Sequence, residues 1–420
     1  MNIAGSRLWP LIGLVSIVCS HTSSALETDV RLKWFSTVSA LPVHDVQRQV
    51  DKTPSYDHTF DLRSMFRHDV GSLHFIVDHS VVLLSGDATA LGRDPNSAVD
   101  QTVTSDANRW VDLTWNIEDG RRHQSFHRLD RAAVQWRPGD WSVTLGRQAV
   151  SWGSGIVFQP MDLFSPFSPT VVDRDYKSGE DLLLVDRLLP NGHDLQLLHV
   201  VRRDNKGHVT GDASSTGFKW HGYAGDVEFE GMLGRHYDED VVGLSLRLPV
   251  GQALLRTDVI ATSFESATGD KQWRVSGIVN ADMTFMLGER NGYAFAEYFY
   301  NDWGVSSLPQ NILDLPQALQ ERLARGEIFN LMREYVALGA SIEWHPLVRQ
   351  TLTVISNLHD GSSLLQMLVG YDPDDHQSLQ LGWIEPLGRA GDEFGGVPVL
   401  GEGFTSGGAS RVYFRWTYFF

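Results

Sequence analysis

The residues best placed to do chemistry are charged side chains that recur at alternate positions in extended segments. They are Arg131, Lys219, Arg247, Arg256, Arg274, Arg349, Arg411 and Arg415, with Glu228, Glu230, Asp258, Asp282, Glu297 and Glu343. Most are flanked by apolar neighbours, so in an extended chain the charges and the apolar side chains fall on opposite faces. A mixed-charge wall of this kind does one of two things. It presents a ladder to a passing anionic or zwitterionic solute, or it pairs internally as a stiffening salt-bridge network. Covalent and metal chemistry have no comparable support. There are 16 His, yet the sequence holds no His-Glu-x-x-His, no Gly-x-Ser-x-Gly and no Walker loop. The expectation is no catalytic residue, no metal site and no cofactor.

A second candidate is one continuous segment, from Gly146 to Gly179, which reads as a strand end followed by a loop rich in Pro and Phe and closed by alternating charges. Gly153 and Gly155 permit sharp backbone bends there. Folded into a channel, such a loop narrows it, its aromatic residues anchoring the turn and its charges facing the solute. The candidate constriction residues are Arg147, Trp152, Phe158, Asp162, Phe164, Phe167, Asp173, Arg174, Asp175 and Lys177. The alternative is a packed outer loop whose charges pair with one another. Arg147 shares the parity of Trp141, Val143 and Leu145, so it lies at the headgroup level or follows a bulge that turns it inward.

Strands are the elements that must position these residues. From Trp273 to Leu287 the residues Trp273, Val275, Val279, Ala281, Met283, Phe285 and Leu287 share one face, opposed by Arg274, Ser276, Asn280, Asp282 and Thr284. The same split recurs along the chain. Trp141, Trp220, Trp273, Trp344 and Trp383 lie near the ends of apolar faces, as interfacial girdles do. No internal stretch approaches the roughly 18 apolar residues of a membrane helix, and mean hydropathy is −0.19. An alternating barrel averages to the same soluble-looking value. Short turns near 138–140, 190–192, 249–251, 288–292, 345–346 and 371–375 alternate with longer connections at 151–179, 204–214, 264–271, 302–333 and 386–408.

Working back from the last residue, strands fall near 409–420, 376–385, 363–371, 349–358, 334–344, 293–301, 272–287, 252–263, 240–248, 226–236, 215–222, 193–203, 180–189, 141–150, 124–137, 71–84, 57–67 and 29–38. The expected fold is all-β, a transmembrane antiparallel up-and-down β-barrel of about 18 strands, with 16 as the alternative. Residues 109–117 also alternate, but a strand there breaks the even count, so they belong to an outer-loop hairpin or a strand extension. Residues 308–333 read as helical, with Pro316 in the first turn and Leu319, Leu323 and Ile328 along one face.

The compartment follows from the first residues. Arg7 precedes the apolar run Leu8 to Val18, and Ser23-Ser24-Ala25 follows, the pattern of a secretory signal peptide cleaved after Ala25. Residues 1–25 are then a signal peptide and 26–420 a single barrel with long outer loops at 151–179, 302–333 and 386–408. Cys19 is the only Cys, so the mature chain has no thiol chemistry. The formal charge of −17 excludes a basic nucleic-acid binder. Acidic outer loops also suit bridging to divalent ions and lipopolysaccharide.

The chain ends Arg411-Val412-Tyr413-Phe414-Arg415-Trp416-Thr417-Tyr418-Phe419-Phe420. This resembles the last strand of Gram-negative outer-membrane barrels, whose terminal aromatic residue the barrel-assembly machinery recognises; the resemblance makes Phe420 the assembly signal. Gly146-Arg147-Gln148 followed by Trp152-Gly153 and the Pro/Phe loop resembles an outer-membrane barrel family with a GRQ-x-x-x-WG strand end, over roughly residues 128–188. More distantly the chain is similar to porins and alginate-export barrels. These resemblances imply a channel passing small solutes across the outer membrane, in contact with lipid and lipopolysaccharide. The alternatives are an export duct for a lipid-like or polymeric product, working with an inner-membrane exporter, and a poreless surface-binding or adhesin barrel. A TonB-dependent receptor is excluded, because its plug domain and roughly 22 strands find no room before the first strand.

Overall fold

The computed structural model describes residues 26–49, 53–91, 106–173, 175–265, 269–399 and 403–420. The expected signal peptide, residues 1–25, and Arg174 lie outside them. Eighteen long strands form an antiparallel ring. In chain order they are β1 (Glu27–Ala40), β2 (Ser55–Val70), β3 (Leu73–Gly86), β4 (His123–Trp136), β5 (Trp141–Gln148), β6 (Glu180–Leu188), β7 (Asp194–Val200), β8 (Ser215–Ala224) and β9 (Val227–His236). The second half comprises β10 (Glu239–Val250), β11 (Ala253–Glu265), β12 (Lys271–Leu287), β13 (Arg290–Asn301), β14 (Glu334–His345), β15 (Val348–Asn357), β16 (Ser363–Asp374), β17 (Gln377–Leu387) and β18 (Ser410–Phe419). Each strand pairs with the next, and β18 returns to β1 through a register running from Arg31 opposite Phe419 to Ala40 opposite Ser410. Closure leaves no edge, which a membrane-embedded sheet requires because lipid offers no hydrogen bonds.

Side-chain alternation explains why this closed sheet suits lipid. Val279 is 59% exposed, Leu145 58% and Leu381 56%, while their inward neighbours Asn280, Thr144 and Gly382 are buried. A water-soluble protein rarely exposes so wide an apolar belt. Trp136, Trp141, Trp220 and Trp344 stand outward near the short-turn end of the barrel, and Trp273 and Trp383 toward the other, which is the girdle pattern. Two- to five-residue turns join strands at one end, for example 71–72 and 251–252, and long connections gather at the other. There the tightest exception is β9 and β10, joined by Tyr237 and Asp238 alone, both at positive φ, as a tight hairpin demands; 266–270 and 358–362 are also short.

The even count holds because the alternating segment near 109–117 is not a ring member. Thr114–Asp119 is a six-residue strand hydrogen-bonded to β4, continuing the position of β5 beyond its end at Gln148. Segment 106–113 then fills the wall above β5 and β6: Arg203 N donates to Asn108 O at 2.9 Å and Val111 N to Asp181 Oδ2 at 2.8 Å. The expected helix over 308–333 is shorter than read. Ile312–Asp314 forms a single 3₁₀ turn, and α1 spans Gln317–Arg325 from Pro316 to Gly326. Pro316 fits as the cap, since its ring needs no N–H partner, but residues 326–333 are irregular and held by tertiary contacts instead.

The candidate pore and its constriction

Loop 149–179 leaves β5, crosses the interior and returns to β6. Its stems, β5 and β6, stand eight and seven strands from β13, nearly opposite in an 18-membered ring, yet the backbone N–H groups of Ile156, Val157 and Phe158 donate to the Glu297 carboxylate of β13 at 2.8–3.1 Å. Nearby, Ser154 N, Ser154 Oγ and Gly155 N donate to Asp258 of β11 at 2.7–3.1 Å. Two buried carboxylates therefore satisfy five consecutive backbone donors of the loop. A neutral side chain lacks the acceptor capacity and charge to do this. Gly153 and Gly155 are required by the approach: a Cβ on Gly153, at φ +87°, would stand 2.8 Å from Asp258 Oδ2, and one on Gly155 would stand 1.8 Å from Phe158 O.

Aromatic side chains lock the same turn to the wall. Phe158 stacks on Phe299 at 4.5 Å and 14° and tilts against Tyr335 at 5.6 Å. They belong to an apolar cluster of inward-facing residues that includes Phe35, Ile278, Ala337, Ile355, Leu364, Ile384 and Tyr413. Trp152 donates Nε1–H to Gln196 at 2.5 Å and meets Phe164 edge-on at 5.2 Å, over Leu182, Leu198 and Met232. Phe167 lines a small cavity of about 70 Å³ beneath the outer loops. Asp162 and Lys177 form a buried pair at 2.5 Å across the loop's own base. Burial pushes the Asp162 carboxyl up to about 6 against the pull of Lys177, and burial likewise lowers the Lys177 ammonium.

The loop's return leg carries Asp173 and Asp175 to the seam of the barrel. Asp173 meets Lys33 at 2.5 Å and Arg415 at 3.2 Å; Asp175 meets Arg31 at 2.7 Å, Arg415 at 2.5 Å and Lys33 at 3.2 Å. Burial opposes ionisation of Asp175, but Lys33, Arg415 and Arg31 outweigh it and hold the carboxyl down at about 2. Tyr176 completes the contact, its ring beneath the guanidinium groups of Arg63 at 4.0 Å and Arg31 at 4.6 Å. Arg63 is itself bridged to Asp130 at 2.7 Å and Asp78 at 3.0 Å.

The other charges named from sequence form local sets. Arg247 bridges Glu230 at 2.9 Å and Glu228, and donates to Gly153 O at 3.3 Å. Lys219 lies 3.5 Å from Glu230, Arg256 pairs with Asp282, and Arg274 meets Asp302 at 3.2 Å. Arg131 donates to Lys177 O at 2.5 Å, tying the loop's end to β4. Glu343 and Arg349 pair at 2.5 Å beside the short turn, apart from the loop. Arg411 lines a larger cavity under the outer loops. Arg147 is 3% exposed beneath segment 106–113, where it meets Asp181 at 2.8 Å, Asp106 at 3.0 Å and Val111 O at 2.6 Å. Among the described residues no three His, Cys, Asp or Glu side chains gather as a metal site.

Sequence reading missed Arg31, Lys33, Asp61, Arg63, Asp78 and Asp130. Their signal was present, since Arg31 and Lys33 alternate with Leu32 and Trp34 as the named charges do. What it could not supply is Asp173 and Asp175 as their partners, which lie about 140 residues away.

No protein-family profile matches the chain, and no curated protein matches it. Solved structures do. The chain is similar to Acinetobacter baumannii OccAB1 with a TM-score of 0.54 at 10% identity, covering 94% of this chain and 96% of that one. It is similar to the Pseudomonas aeruginosa outer membrane protein OprD with a TM-score of 0.52 at 10% identity, covering 94% and 93%. The structure of Pseudomonas aeruginosa OpdK with vanillate gives 0.51 at 12% identity, covering 94% and 98%. At these identities the likeness is one of fold: an 18-strand barrel shared along nearly its whole length.

Proposed function

We propose that this chain is a porin-like channel of the Gram-negative outer membrane that passes small solutes through a pathway narrowed by loop 149–179. The observation that carries this reading is the loop itself, held across the ring by Glu297 and Asp258 on one side and by Arg31, Lys33 and Arg415 on the other. A wall of charges facing a loop of charges gives a polar, water-accepting path, which is how barrel pores select. The pore-lining side chains are then Arg131, Lys219, Arg247, Arg256, Arg274, Asp282, Glu297, Glu343, Arg349, Arg411 and Arg415, most of them paired rather than free. The fold shared with OprD and OpdK supports the same reading. Phe420, the terminal aromatic residue, is the element offered to the barrel-assembly machinery, and the exposed belt contacts lipid and lipopolysaccharide.

Conductance of the purified protein in planar bilayers tests the proposal. Discrete openings are expected, and removal of residues 160–170 should raise their size. A barrel silent at every voltage would sink the channel and favour the surface-binding alternative. The apolar inner cluster of β12 to β17 favours, as a second reading, an export duct for a lipid-like product coupled to an inner-membrane exporter; release of such a product into the medium, lost on deletion of the gene, separates the two.

A further inference from the structure

A cavity of about 340 Å³ lies at the long-loop end of the barrel, between loops 149–179, 302–333 and 388–409 and the tips of β16 and β17. At roughly 30 Å³ per water it holds on the order of ten water volumes, the lower end of the range for small-molecule sites. Its walls are mainly apolar: Leu323, Ile328, Phe329, Leu364, Ile384 and Val397.

The polar groups in these walls differ in what they have left to offer. Asn330 is 5% exposed, and it lines this cavity and the 70 Å³ one beside it. Its side-chain amide makes no hydrogen bond among the described residues, and its carbonyl and NH₂ are not sealed from the cavity, so both are open to a ligand. Glu393 is already saturated, accepting from Leu331 N, the Tyr335 hydroxyl and Asn357 Nδ2 at 2.6–2.8 Å. Arg325 faces Glu327 at 3.6 Å and Glu321 at 3.8 Å and packs on the Tyr237 ring at 4.3 Å. Its charge is neutralised, and its Nη1 is sealed from the cavity beside Glu327. Arg411 is engaged as well, with Asp57 close enough to feel its charge. The cavity therefore offers apolar area and one unused amide, its arginines engaged and its carboxylate Glu393 already accepting three hydrogen bonds.

We infer that this cavity is a binding site for an uncharged, mainly apolar small molecule carrying one amide or similar donor–acceptor group, which pairs with Asn330 while its body lies among Leu323, Phe329, Leu364 and Ile384. An anion of the same shape must break an existing ion pair to be compensated, and a cation must displace the donors that already hold Glu393. An amide matches Asn330 in both directions and brings no net charge to desolvate.

The test compares two probes of one shape, 4-phenylbenzamide and 4-phenylbenzoate, binding to the full chain in lipid nanodiscs, followed by saturation-transfer NMR. This readout is independent of conductance, so it stands or falls apart from the channel proposal. The amide is expected to bind at least tenfold more tightly than the carboxylate. Asn330→Leu should weaken the amide about tenfold and leave the carboxylate unchanged, and Ile384→Trp, which fills the cavity, should abolish amide binding. Retained heat-modifiable migration of each variant checks that the barrel is folded. Equal or tighter binding of the carboxylate, or amide binding unaffected by Ile384→Trp in a folded barrel, would overturn the inference.

Discussion

At the scale of single residues, the seating of loop 149–179 depends on carboxylates that accept main-chain N–H groups and, among the described residues, meet no cation. Glu297 is the clearest case. Glu297→Gln replaces one of two acceptor oxygens with a donor facing donors, so at least one of the bonds to Ile156, Val157 and Phe158 is lost, at about 1.5–3 kcal/mol for a bond to a charged group. The expected outcome is a larger and noisier single-channel current with strand content unchanged by circular dichroism. Glu393 is the pH-sensitive counterpart in loop 388–409. Burial raises its carboxyl to about 7 from an ordinary 4.5, with Asp360 adding to the effect and Leu331 N, Tyr335 and Asn357 opposing it. The docked acid therefore holds its proton to a higher pH than the undocked one. Docking is strongest below about 4.5 and weakens up to about 7, by about 1.4 kcal/mol per pH unit. Proteolysis of this loop should increase between those values, and Glu393→Gln should flatten the profile. The inward charges on β8 to β13 were legible from alternation because parity assigns a side chain to a face. Which charges pair was not, since Asp173 and Asp175 lie in an irregular loop with no period.

The elements divide into a ring that alternation specifies and loops that it does not. Strand boundaries could be read because each strand has a polar face and an apolar face, and a shift of one residue would turn charges into lipid. Helix α1 was only partly legible. Its apolar stripe of Leu319 and Leu323 is periodic, but residues 326–333 are apolar for another reason: Leu331 and Ile328 pack with Trp303, Leu315 and Val397 in an outer-loop core. Leu319 is fully buried there, so Leu319→Ala should cost about 2–5 kcal/mol of local stability. Because the ring holds independently, the loss should appear as faster tryptic cleavage at Arg322 and Arg325 with the barrel still heat-modifiable. The short strand Thr114–Asp119 shows the same limit. Its alternation was visible, but its place, extending the wall above a truncated β5, depends on where the chain dives inward, and that is set by Gly153, Asp258 and Glu297 together.

The whole molecule is a ring whose first and last strands meet at β1 and β18, and loop 149–179 reaches that seam from inside. Arg415 lies on one side of it, Arg31 and Lys33 on the other, and Asp173 and Asp175 bind both sides. The double substitution Asp173→Asn, Asp175→Asn takes the loop's anions from buried Lys33 and half-buried Arg415 and leaves Arg31 with Asp61 alone of its two. It should cost about 3–5 kcal/mol, the penalty of breaking a buried pair, and lower the temperature at which the folded band converts to the unfolded one on semi-native electrophoresis. Mutating a comparable pair away from the seam, Arg256 with Asp282, should lower it less. The internal reach of this loop also gives the closing seam an unusual composition. β1 and β18 come from opposite ends of the chain, and the anions that bridge them, Asp173 and Asp175, come from its middle, so the chain's two ends join on a surface supplied by its middle.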